Sequence, residues 1–190
     1  ATFIGVANTT GEVKALKFRI REGVESEDVL DFQIWLSPYD HWTAVMARVG
    51  DSVRINTSDT SCTVPSLASG ASLLTNRIAA AYTGNVLDRL SEGHIEIIEM
   101  ATVFPWAAAP TIQNDLTYAV THQNGVPPGC EDVIRFNGSP LLGFLTPGDV
   151  ANGVPVMGGN FQEPMGGIYG IAAVFNPTDG TYFTYSAEAL

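Results

Sequence analysis

At 190 residues, with 45% apolar and 15% charged residues, the chain carries enough apolar material for one sizeable core and has the wrong balance for disorder. Nine basic against twenty acidic residues give a net charge of −11, which argues against nucleic-acid phosphates and anionic lipid as partners. No apolar run reaches the roughly eighteen residues of a membrane-spanning helix, so no span is expected.

The chain opens on a strand-like Thr2-Phe3-Ile4-Gly5-Val6-Ala7, closed by a turn cluster at Asn8-Thr9-Thr10-Gly11. Leu16, Phe18 and Ile20 then alternate with Lys17, Arg19 and Arg21, a period of two that suits a half-buried strand and no helix. A polar, acidic loop from Glu22 to Asp28 leads to Leu30, Phe32, Ile34 and Leu36, which repeat the alternation. Ser37-Pro38-Tyr39-Asp40 reads as a turn, with proline where φ must lie near −65°. Trp42, Ala44 and Met46 resume beyond it and share one face, which places Trp42 in the core; Gly50-Asp51 joins them to Val53-Arg54-Ile55 as a hairpin. The predicted class is mainly β, an antiparallel β-sandwich of Ig-like type with one or two short helices and long loops.

From Thr57 to Gly70 the composition turns to Ser, Thr, Asp and Pro, a surface loop, and 57–93 as a whole is a candidate insertion into a single domain spanning 1–190. Within it Ala71 to Ala81 predicts a short helix around Leu73, Leu74 and Ile78. Ile95, Ile97, Ile98 and Met100, interrupted by Glu96 and Glu99, predict a strand. Asn114 to His122 is the best helix, with Ile112, Leu116, Ala119 and Val120 to one side and Gly125-Val126-Pro127-Pro128-Gly129 as its stop. Gly166 to Phe175, apolar on both faces, predicts a central buried strand, and Thr181 to Tyr185 its hairpin partner across Asn176-Pro177-Thr178-Asp179-Gly180.

Cys62 and Cys130 sit in no CxxC motif, and few lysines with abundant Thr, Ser, Asn and Gly favour a disulfide in an oxidising compartment over two buried thiols. His41, His94 and His122 have no metal-ligand spacing, and neither GxSxG nor SxxK occurs. Glu22, Glu25, Glu27 and Asp28 make the one loop that could hold Ca²⁺, although a solvated loop is the plainer reading; no other cofactor is expected. Glu96 and Glu99 fall on opposite faces of their strand, unlike a glycosidase pair. Trp35, on the polar side with Asp31 and Gln33, is the aromatic best placed for an exposed contact. Asn8, Asn56 and Asn137 head Asn-x-Ser/Thr triplets, which arise readily by chance.

Several segments taken together resemble a group of uncharacterised exported, β-rich surface proteins of Gram-negative bacteria. They are Asn8-Thr9-Thr10, Phe18-Arg19-Ile20-Arg21-Glu22, Leu36-Ser37-Pro38-Tyr39-Asp40-His41-Trp42-Thr43-Ala44, Ser61-Cys62-Thr63-Val64-Pro65, Asn124-Gly125-Val126-Pro127-Pro128-Gly129-Cys130 and the closing Gly166-Gly167 and Gly180-Thr181-Tyr182 elements. The likeness covers most of the chain and implies export through a cleaved signal or precursor, an extra strand upstream of Ala1, and no catalytic residue. Low charge, high apolar content, an apolar tail with no basic residue after Arg135 and a chain that opens directly on a strand predict a non-enzymatic extracellular structural subunit that self-assembles as a filament or surface layer. Phe3, Ile4, Val6 and Trp35 are its expected subunit contacts. The alternative is a cell-surface module that binds carbohydrate or protein through Trp35 and the loops.

Overall fold

The computed structural model describes residues 1–78, 82–112, 114–131, 133 and 160–188. Eleven strands run in chain order: β1 (Thr2–Asn8), β2 (Val13–Glu22), β3 (Asp28–Leu36), β4 (His41–Val49), β5 (Ser52–Asn56), β6 (Cys62–Val64), β7 (Ala71–Ser72), β8 (Gly93–Phe104), β9 (Asn160–Gln162), β10 (Ile168–Asn176) and β11 (Thr181–Ser186). Among the described residues they are joined by two short helices, α1 (Val86–Arg89) and α2 (Leu116–Val120), and a 3₁₀ turn at Thr75–Arg77. The strands form two antiparallel sheets, sheet A in the order β11-β10-β1-β4-β5-β7 and sheet B in the order β6-β3-β2-β8-β9. The expected antiparallel sandwich is therefore present, with more strands per sheet than an Ig-type constant domain.

The alternation in β2 and β3 explains how the sheets meet. Leu16, Phe18 and Ile20 pair across the ladder with Ile34, Phe32 and Leu30, so both strands present one apolar face. That face packs on Ile4, Val6, Trp42, Ala44, Val53 and Ile55 of sheet A. Trp42 is fully buried, its ring 5.4 Å from Phe18 and tilted edge-on, while Phe18 and Phe32 stack at 4.7 Å. On the outer face Lys17 reaches Asp31 at 2.6 Å, Arg19 reaches Asp28 at 3.3 Å and Arg21 reaches Glu96 at 3.0 Å. Such exposed pairs contribute little stability each, but a one-residue slip would bury the charges and expose the core, so the pattern enforces register.

A bulge in the β2–β8 ladder, between Ala15 and Leu16, leaves Met100 without a partner on β2, while the unbroken register before it puts Glu96 and Glu99 on opposite faces, as the sequence predicts. Gly93 opens β8 where a Cβ would run into the Arg21 carbonyl, so glycine is required by close strand approach rather than by a turn.

Several elements differ from expectation. Ala71 to Ile78 is a two-residue strand and a 3₁₀ turn rather than a helix, with Leu73 and Ile78 buried by tertiary packing; Ala79 to Ala81 lie outside the described residues, as does Asn137. The 57–93 stretch is woven into the sandwich, since β6 borders sheet B, β7 borders sheet A, and Leu67, Leu73 and Leu90 enter the core. The predicted 114–122 helix narrows to α2, where the Asp115 side chain accepts from the Thr117 and Tyr118 amides as an N-cap. β10 lies between β11 and β1 within its sheet, but none of its residues is buried, against the expected fully buried strand.

Candidate functional site

The opening strand is not an open edge. β1 is hydrogen-bonded to β10 on one side and to β4 on the other, in continuous register from Thr2 to Asn8 with β10 and from Thr2 to Ala7 with β4. Ile4 and Val6 are buried in the main core, so of the β1 residues expected at a subunit contact only Phe3 reaches the surface. The expectation fails because the partner strand β10 comes from the far end of the chain.

Trp35 is likewise not an exposed contact: it is 4% exposed. The outer face of sheet B is dry at this end, where Val13, Ala15, Trp35 and Val103 are covered by Leu116, Ala119 and Val120 of α2, by Val133 and by Cys62. The predicted disulfide closes this layer, joining Cys62 to Cys130 with Cα atoms 5.3 Å apart. Burial raises the Asp115 carboxyl, but the Ala107, Trp106 and Tyr118 amides and the Thr117 hydroxyl outweigh it and hold the group below the usual carboxylate range.

The acidic loop is a salt-bridge socket. Glu22 is buried and accepts two bonds from Arg89, at 2.6 and 2.9 Å, and three from the amides of Val24, Glu25 and Glu27. The Arg89 guanidinium holds the Glu22 carboxyl far below the usual range, burial opposing it. Arg89 also bonds Glu25 at 2.7 Å and lies 5.0 Å over the Tyr82 ring. Of the four acidic residues expected at a Ca²⁺ site, Glu22 and Glu25 are engaged by Arg89 and Asp28 lies 3.3 Å from Arg19; among the described residues no group of three or more His, Cys, Asp or Glu could hold a metal ion.

A Ser-His-Asp gathering does exist, at the junction of three loops. His122 Nδ1 lies 2.7 Å from Ser37 Oγ and 3.3 Å from Asp40 Oδ2, and Nε2 lies 3.0 Å from Thr60 Oγ1. A catalytic base needs its nucleophile and its carboxylate on different ring nitrogens. Here serine and aspartate share Nδ1, Ser37 is buried, and Thr60 donates its proton to the Gly125 carbonyl at 2.9 Å. The cluster ties loops together.

What stays uncovered is the margin of sheet A. β11 pairs with β10 from Thr181–Asn176 to Ser186–Ile171, and its other edge meets no strand among the described residues. The other outermost strands are short, with two residues in β7 and three each in β6 and β9, whereas β11 has six. Short edges are a standard protection against unwanted pairing, and so is an edge lysine; β11 has neither. Its Thr-Tyr-Phe-Thr-Tyr-Ser carries no charge, with Tyr182 74% and Phe183 65% exposed. Sequence reasoning found this hairpin but not its exposure; the signal was the absence of any basic residue after Arg135.

On the outer face of the same sheet, Phe3, Val45, Tyr169 and Ile171 rim a depression of about 720 Å³ over Gly5. Thr43, Thr57, Ser58, Thr184 and Ser186 add hydroxyls, and no charged side chain lines it. Gly5 keeps the floor low, since a Cβ there would lie 3.1 Å from Ile171.

No helix of the described residues is long and apolar enough to cross a membrane. No protein-family model, no curated protein and no solved structure matches the chain.

Proposed function

We propose that the chain is a non-enzymatic extracellular structural subunit that self-associates through the β10–β11 margin of its sandwich. The observation that carries this reading is the unprotected β11 edge, six residues long, uncharged and aromatic, on a body whose other outermost strands are short. A body of net charge −11 repels its copies except where charge is absent, and β10 and β11 together contain no ionisable carboxylate or base. The Cys62–Cys130 disulfide suits an oxidising, extracellular setting. Light-scattering mass of the full chain across a concentration series tests the proposal. Oligomers that dissociate in a Thr184→Lys variant are expected, and a monomer at every concentration would overturn it.

A second reading, a neutral-sugar-binding surface, is favoured by the uncharged, hydroxyl-lined depression over Gly5, where Tyr169 and Phe3 offer stacking faces. It replaces Trp35, whose burial removes it from any contact. Glycan-array binding lost in Tyr169→Ala would support it; an array without signal for the unaltered protein would end it.

A further inference from the structure

We infer that the subunit contact is a reciprocal strand exchange, in which β11 of one copy fills an unoccupied strand position beside β8 of a second copy and receives that copy's β11 in return. The inference rests on the self-association reading above and names the acceptor surface.

Among the described residues, sheet B has no strand beneath β11. β9 pairs with β8 only at Thr102, Val103 and Phe104. The chain then leaves the sheet, as the Met165 and Gly166 amides bond the Glu99 carboxylate at 3.2 and 2.9 Å. It crosses to sheet A through Gly166 and Gly167, whose φ angles of 76° and 81° favour glycine. From Gly93 to Ile98, β8 therefore bonds β2 on one edge and meets no strand on the other among the described residues.

β11 stands over this stretch. Its register places Phe183 opposite Val174 and Tyr185 opposite Ala172, in line with Thr2 and Ile4 of β1. Phe183, Tyr185 and Val174 thus share the inward face of sheet A, yet all three are exposed, the two rings 5.9 Å apart. Val174, Tyr185 and Thr2 line one cavity of about 300 Å³ with Ile20, Gly93 and Ile95 of sheet B, so the two margins face each other across a gap. In a closed sandwich the inner face of one sheet is covered by the other. Here the cover stops one strand early.

The strand that would fit must be uncharged, must carry apolar side chains on one face and must have a free edge. β11 meets those conditions itself, so the overhang of one copy complements the shortfall of another. The directions agree. The end of β1 lies beside the start of β2, where the Asn8 side chain donates to Glu12 and Ser37 carbonyls at 2.7 Å, so β2 runs back against β1. β8 is antiparallel to β2, and β11 is antiparallel to β10, which is antiparallel to β1. β8 and β11 therefore both run with β1. A two-fold axis along the strands joins β11 to the partner copy's β8 in parallel, continuing sheet A of one copy into sheet B of the other. Such a contact is isologous and closes as a dimer; growth into a filament needs another surface.

The test is cross-linking of the full chain with a short bismaleimide, the native cysteines being protected by their disulfide. Thr184 and Ile98 both point to the outer faces, on β11 and β8 respectively. The Thr184→Cys/Ile98→Cys double variant is expected to give a covalent dimer, and neither single variant is. In the exchanged dimer the two β11 strands occupy opposite sheets, about 10 Å apart with outward side chains farther still. Cross-linking of Thr184→Cys alone would mean that β11 meets β11, which overturns the exchange and leaves self-association standing. A dimeric mass without cross-linking of the double variant would overturn the exchange in the same way. A monomeric mass for the unaltered chain would overturn both.

Discussion

The outer face of sheet B around Trp35 and the margin of sheet A around Phe183 are built from similar material and end in opposite states. Both expose aromatic and apolar side chains from their own strands, and both need a cover. At Trp35 the chain supplies one, laying α2 and the Cys130 segment over the sheet and fastening it through Cys62. At Phe183 it supplies none among the described residues, and the rings stand in solvent. The first region belongs to the stability of one copy; on the proposed self-association, the second is what that copy offers to another.

The comparison breaks most sharply at Trp35. Trp35→Ala empties a dry layer and is expected to cost about 3–5 kcal/mol, read from denaturant unfolding. Trp35→Phe should cost far less, because the indole N–H is buried without a hydrogen-bond partner among the described residues and its removal leaves nothing unpaired. A Trp35→Ala variant as stable as the parent would show that the layer is not a core.

Next is the clasp. The disulfide spans 68 residues, and in the chain-entropy model a loop of that size corresponds to about 4 kcal/mol. The Cys62→Ala/Cys130→Ala variant should lose most of that. Far-UV circular dichroism should keep its β signature at low temperature, since both sheets have ladders independent of the bridge.

A smaller effect follows from acid. The folded-state carboxyls of Glu22, Glu99 and Asp115 lie below their ordinary values: Arg89 holds Glu22 down, while for Glu99 and Asp115 hydrogen bonds outweigh a burial that pushes upward. A depressed folded pKa means the unfolded chain binds more protons as pH falls. The stabilisation is therefore complete above the usual carboxylate range of about 4 and is lost progressively below it. Thermal midpoints should hold steady from neutrality to about pH 5 and fall steeply beneath. Glu22→Gln should lower the plateau and flatten the fall.

These regions were not equally legible in the chain. Alternation placed Phe18, Phe32 and Trp42 correctly in the core, because a strand's two faces follow from its own residues. What covers a face does not. Trp35 was read as exposed since Asp31 and Gln33 share its side, but that side is charged at one end and capped at the other by residues some eighty positions later. β1 was read as an open edge for the same reason, its second neighbour β10 lying more than 160 residues away. The acidic loop is solvated from Gly23 to Glu27 as read, but Glu22 is buried, because its counter-ion, Arg89, sits 67 residues on. Local pattern gives face and period; long-range pairing decides burial.

The smallest effect on folding and the largest on assembly should come from the β11 edge. Thr184→Lys adds one exposed charge to a solvent-facing position, a change expected to move unfolding free energy by no more than about 0.5 kcal/mol. In any copy-to-copy pairing through that edge, the same lysine supplies the edge charge that natural sheets use against such pairing and that β11 lacks. Separating those two readouts, stability unchanged and light-scattering mass reduced to the monomer, sharpens the comparison to a single side chain. Salt gives an independent check. In the proposed association two bodies of net charge −11 meet through an uncharged hairpin, so screening their mutual repulsion should tighten association as ionic strength rises. An ion-paired contact would weaken under the same titration, so the sign alone separates an aromatic edge from a charged one.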